Sequence, residues 1–178
     1  MAQASYEQLA EMFLARGARL TDDKKFFVAR NHLNTAKQLF DSSKNQERQD
    51  KTSMRIAAAW EGEAIERTPG SQPSYMVAVE FYMQAIQELT SIAKARRPAL
   101  GVDLELRRLY GLLREAGARS LDEFPMLHVD APDLSTLIEE AEASASNKEL
   151  MKAFFALAHC ATYTPKNLLI SNDSQPAG

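Results

Sequence analysis

His159 and Cys160 stand side by side, and a thiol next to an imidazole is the pairing in this chain closest to an activated nucleophile. Consecutive residues on a helix point about 100° apart, so the two cannot easily form a thiolate–imidazole pair. Cys160 also lies in the apolar run from Ala156 to Ala161, which reads it as a small buried hydrophobe. Metal chemistry finds no better footing. His32, His128 and His159 are scattered, without a ligand pair at zinc spacing and without His-Glu-x-x-His. Glu139, Glu140 and Glu142 could offer carboxylates to a di-iron bundle, but no Glu-x-x-His accompanies them. No serine occupies a Gly-x-Ser-x-Gly turn, and no two glycines have the spacing of a phosphate loop. The residue pattern therefore assigns no catalytic residue, no metal ligand and no cofactor. It reads as a protein that is not an enzyme.

The elements that would have to position any site are helical. Of 178 residues, 45% are hydrophobic and 25% charged, the balance of a globular chain with a real core, and only 7 are glycine and 7 proline. The net charge of −3 argues against a general nucleic-acid or anionic-membrane binder. A single cysteine, no secretory signal and no apolar window of about 18 residues point to a cytoplasmic protein without a membrane partner.

Along the chain, Ser5 with Gln8 forms a capping box that opens helix one, and Gly17 is expected to end it. Thr21 or Asp22 opens helix two, where Phe26, Ala29, Leu33, Ala36 and Phe40 step by three and four. The polar stretch 41–50 reads either as a loop or as a solvated continuation. Helix three runs from about Thr52 to Arg67, and Thr68–Pro73 is the clearest break. Helix four, capped by Ser71 or Ser74, carries Tyr75, Ala78, Val79, Tyr82, Ala85, Ile86, Leu89 and Ile92 and is expected to stop at Arg97-Pro98. Helix five takes Val102, Leu106, Leu109, Leu113 and Ala116 and ends at Gly117; Ser120–Phe124 reads as one short turn. Asp133 starts helix six, and Leu150, Met151, Phe154 and Leu157 mark helix seven. The segment 165–178 reads as a frayed tail. Gly62 and Gly111, inside predicted helices where glycine costs about 1 kcal/mol, are read as points of close helix–helix approach. The expected fold is all-α: an antiparallel bundle of six to seven helices around a single core over residues 1–164, with helices two, three and four at its centre.

Candidate surface residues come from charge and from paired aromatics. Residues 94–119 are rich in arginine, including Arg96, Arg97, Arg107, Arg108 and Arg119, whereas 122–150 are acidic. The two segments either complement each other within the fold or meet a partner. Tyr75, Tyr82, Trp60 and Phe81 could line a peptide groove but are expected mostly in the core. In Phe26-Phe27 and Phe154-Phe155 the two rings cannot face one neighbour, so Phe27 and Phe155 are candidate contact residues.

The pattern Tyr75-x-x-Ala78-x-x-x-Tyr82-x-x-Ala85, preceded by Ala58, Trp60, Ala64 and Ile65, resembles a tetratricopeptide or microtubule-interacting-and-transport (MIT) helical hairpin over about residues 56–97. That resemblance implies a peptide-binding or scaffolding module. Residues Leu112–Phe124 are similar to helix-hairpin-helix segments that bind the DNA backbone. The leading expectation is an adaptor or complex subunit binding another protein through a helical groove, with Arg96, Arg97, Arg107, Arg108, Phe27 and Phe155 as partner-binding residues. The alternatives are a nucleic-acid-associated protein using the basic 94–119 segment and a self-assembling structural subunit.

Overall fold

Ala29, Leu33, Ala36 and Phe40 are all fully buried, so the three-and-four stepping of the sequence is a real seam. The computed structural model describes residues 2–68, residues 75–122 and Ala143. Over them the chain forms α1 (Ala2–Asp22), α2 (Phe26–Ser42), α3 (Gln46–Arg67), α4 (Tyr75–Thr90), a 3-10 turn (Lys94–Arg96), α5 (Arg97–Leu100) and α6 (Val102–Asp122). The protein is an all-α helical bundle, with no strand among the described residues. Expected helices six and seven, the tail, Phe155, His128 and the His159-Cys160 pair lie outside the described residues.

Each long helix packs chiefly on the next in the chain: α1 on α2, α2 on α3, α3 on α4, and α4 on α6. Two three-residue turns force the first reversals, and both use the same device. Lys24 and Lys44 adopt left-handed φ of 58° and 59°. Lys25 N–H then donates to Leu20 O at 2.8 Å, and Asn45 N–H to Phe40 O at 2.9 Å. These are Schellman closures with lysine where glycine is usual. Asn45 also caps α3, accepting from Arg48 N–H at 3.2 Å. The α2–α4 contact is polar, a Lys37–Glu88 ion pair at 2.5 Å, so helices two, three and four form a row rather than a closed central cluster.

Several expected helix ends move for physical reasons. Ser5 lies inside α1, and Thr21 closes α1 rather than opening α2, its hydroxyl donating to Gly17 O at 3.0 Å. Gly17 does not stop α1, because it faces α2: a Cβ there would stand 2.6 Å from Leu33 Cγ and 3.2 Å from Ala29 O. Gly62 serves the same purpose under the Phe26 ring, whose Cε1 would lie 2.5 Å from a Cβ. Gly111 does not: a Cβ would meet nothing within 4 Å. Gly117 also lies within α6, which continues to Asp122 and leaves no turn at Ser120 and no hairpin in the described part of Leu112–Phe124. Helix α3 starts six residues earlier than Thr52, inside the polar stretch. Helix α4 ends at Thr90, not at Pro98, which sits in the first turn of α5.

The core gathers in two clusters. One joins Ala10, Leu14, Leu33, Ala36, Phe40 and Ile56 from α1–α3. The other joins α3, α4 and α6 through residues such as Val79, Ile86, Leu89, Leu109 and Leu113. Trp60 packs against both. Its indole carries the Arg30 guanidinium 3.6 Å above the ring centroid and lies 5.5 Å from the Phe81 ring. Arg30 is in turn ion-paired to Glu63 at 2.5 Å in a largely buried site.

Candidate functional site

The one-in-three and one-in-four steps that build the core also leave a trough between α3 and α6. On α3, Met54, Ala57, Ala58 and Glu61 share a side; on α6, Leu104, Glu105, Arg108 and Leu109 do. Leu89 of α4, Leu100 and Gly101 complete a recess of about 310 Å³. Gly101 takes φ +67°, which lets the chain turn from α5 directly into α6. Further along, Tyr75 and Tyr82 of α4, with Leu112, Glu115, Ala116 and Arg119 of α6 and Thr68 from the end of α3, enclose a second recess of about 210 Å³. From Leu104 to Arg119 the α6 wall runs about 22 Å, the length of a four-turn helix.

Arg108 straps the trough at its middle. Its guanidinium forks onto both oxygens of Glu61 across the gap, with Nη2 donating to Oε2 at 2.6 Å, and reaches Glu105 with Nε donating at 3.0 Å. The Glu61 bond, followed by Glu105, holds the Arg108 pKa well above its ordinary value. At one end Arg96 forks onto the buried Asp50, with Nε to Oδ2 at 2.5 Å, and this bond raises the Arg96 pKa. Gln46 donates to the same carboxylate at 2.9 Å. At the other end Arg119 donates to Tyr75 Oη and to Glu115, each at 3.0 Å, the first being the main reason its pKa is raised.

Tyr82 lines the second recess with its phenol pKa raised, first by burial and then by the negative charges of Glu61 and Glu115. The fold therefore favours the neutral phenol. Its contribution to stability is complete below pH 10.0, the free value, and is lost as pH rises through the higher folded value. In an ultraviolet titration, Tyr82 is expected to ionise later than the exposed tyrosines, and Tyr82→Phe reduces the late-ionising amplitude by one residue.

The candidate residues of the sequence distribute unevenly. Arg108 stands in the trough and Arg96 near its end. Arg97 is buried, with Nε donating to Ile92 O and Nη2 to Thr90 O, both at 2.8 Å, so it ties down the end of α4. Arg107 is exposed on α6. Phe27 is 67% exposed on α2, away from the trough. Tyr82 belongs to the buried core, and Trp60, Phe81 and Tyr75 pack partly buried against it; Tyr75 and Tyr82 also line the second recess. Leu104, 70% exposed and the largest apolar side chain at the mouth, escaped the sequence reading. Its signal was there: it stands off the Val102–Leu106–Leu109–Leu113 stripe on a helix otherwise polar on that side. The described residues hold no group of three potential metal ligands, and no helix of theirs is long and apolar enough to cross a membrane.

No protein-family model, curated protein or solved structure matches this chain.

Proposed function

We propose that this chain is a non-catalytic interaction module, an adaptor or complex subunit, that holds a helical segment of another protein in the α3–α6 trough. The observation that carries the reading is Leu104, 70% exposed beside a floor of Met54, Ala57 and Leu89. A leucine left in water at the lip of an apolar recess is the arrangement expected of a contact anchor. The trough is as long as a four-turn helix, and an amphipathic helix would seat its apolar face at such spacing. The resemblance of residues 56–97 to a tetratricopeptide or MIT hairpin supports the same reading by analogy.

The nucleic-acid alternative fares worse on the same residues. Arg96, Arg108 and Arg119 are bound to Asp50, to Glu61 with Glu105, and to Glu115, and Arg97 is held by carbonyls. Of the five arginines read from that basic segment, these four are engaged and Arg107 is left to face a phosphate backbone.

The test places a photo-crosslinking residue at Ala58, in the trough wall, in the native host. A defined partner is expected to crosslink, and Leu104→Glu is expected to remove that product while changing the unfolding free energy by less than about 0.5 kcal/mol, as for other surface changes. A crosslink that survives Leu104→Glu would show that Leu104 is not the anchor, and absence of any crosslink from Ala58 would place partner binding elsewhere.

A further inference from the structure

Resting on the trough as the binding site, we infer that its occupant is an acidic amphipathic helix, with carboxylates along both flanks and none in the turn that crosses Arg108. The argument is the charge that the walls leave over. Every acid that lines the trough is already engaged by an arginine: Glu61 and Glu105 by Arg108, Glu115 by Arg119. Just outside the lips the walls are alike. Ala58 on α3 and Leu104 on α6 are the exposed apolar residues at the mouth, and each has an exposed arginine three residues away, Arg55 and Arg107. Three residues is one turn on the same outward strip. Neither arginine has an ion pair among the described residues. A guest helix seated on Leu104 therefore has a guanidinium without an ion pair on each side, the α6 one partly offset by exposed Asp103 four residues before it and the α3 one, Arg55, carrying more of the preference. At the middle the balance reverses, because two carboxylates share the one Arg108, so an acid in the guest's central turn is repelled.

Rim charges of this kind set selectivity and association rate more than total affinity. The experiment therefore compares two stapled helical peptides with the same leucine spacing, one flanked by glutamates and one by lysines. Their binding to the full chain is followed by fluorescence anisotropy. The glutamate-flanked peptide is expected to bind about tenfold tighter at low salt, and the preference is expected to shrink as salt screens the rim. Arg55→Glu with Arg107→Glu reverses the preference, and Leu104→Glu abolishes binding of both peptides. Equal affinities that Leu104→Glu still abolishes overturn the acidic occupant and leave the trough as a binding site. Absence of binding by either peptide, or binding that Leu104→Glu leaves intact, overturns both. If the peptides bind only after Leu137→Glu and Ile138→Glu in the full chain, the occupant is the chain's own acidic segment, and an external partner is ruled out. Self-association that Leu104→Glu removes would likewise make a second copy the occupant.

Discussion

Glu63→Ala is expected to lower the stability of the fold by about 3–5 kcal/mol, because it leaves the Arg30 charge buried without its carboxylate. Arg30 is only 5% exposed, and its Nη1 and the Glu63 Oε2 that it meets at 2.5 Å are an ion pair in which neither atom makes a hydrogen bond. The pair depends on itself and on the Trp60 face below the guanidinium. Arg67 reaches Glu63 only at 3.6 Å and from the surface, so it cannot replace Arg30. Urea unfolding of the full chain measures the loss. Arg30→Met combined with Glu63→Leu is expected to recover most of it, since replacing both charges removes the desolvation penalty that either one alone would leave. A Glu63→Ala protein with an unchanged midpoint would mean that water reaches Arg30.

Arg97→Ala is expected to cost about 2–4 kcal/mol, whereas Arg107→Ala, on the exposed side of α6, leaves the midpoint unmoved. Helix α4 ends at Thr90 with carbonyls that have no helical partner beyond it. The Arg97 guanidinium reaches back to two acceptors in that turn, Thr90 O and Ile92 O, from a buried position. Without it both carbonyls face a site too closed for ready hydration, and Ile92, 1% exposed, loses its tether to the core. Thermal and urea unfolding of the two variants side by side distinguish an internal tie from a surface base. Equal stabilities would return Arg97 to the surface.

The contrast between these two arginines also shows where the sequence could be read and where it could not. Apolar periodicity is dependable in α2 and from α4 to just beyond it, where Ala29, Leu33, Ala36 and Phe40, and Ala78, Val79, Tyr82, Ala85, Ile86, Leu89 and Ile92, are buried as their spacing predicts, but not in α1, where Tyr6, Leu9 and Met12 are exposed. Polar letters are not dependable, because the same residue type serves opposite ends. Arg97 and Arg107 read alike in a basic run, yet one closes a helix and the other faces water. Asp50 looks solvated at the end of the polar stretch 41–50 but is buried as the anchor for Arg96 and Gln46, and the polar Thr52 and Ser53 just after it are buried too. Glycine misled for a related reason. Gly17 was read as a stop, whereas the space it leaves admits Leu33, and the actual stops fall at Lys24 and Lys44, residues with no preference for a left-handed backbone. The trough was legible only in part. Its acids and arginines were visible, but their pairing required the crossing of α3 and α6, which no local pattern encodes.

Trp60 is the chain's one tryptophan and touches both core clusters. The molecule thus has a single indole fluorophore at the point where its two core clusters meet, between a cation and a ring. Loosening of either cluster changes the indole's surroundings, so emission colour and quencher access follow separation of the clusters in the unlabelled protein. Guest binding in the trough, on the opposite flank of α3, should register there only if it pulls the clusters apart.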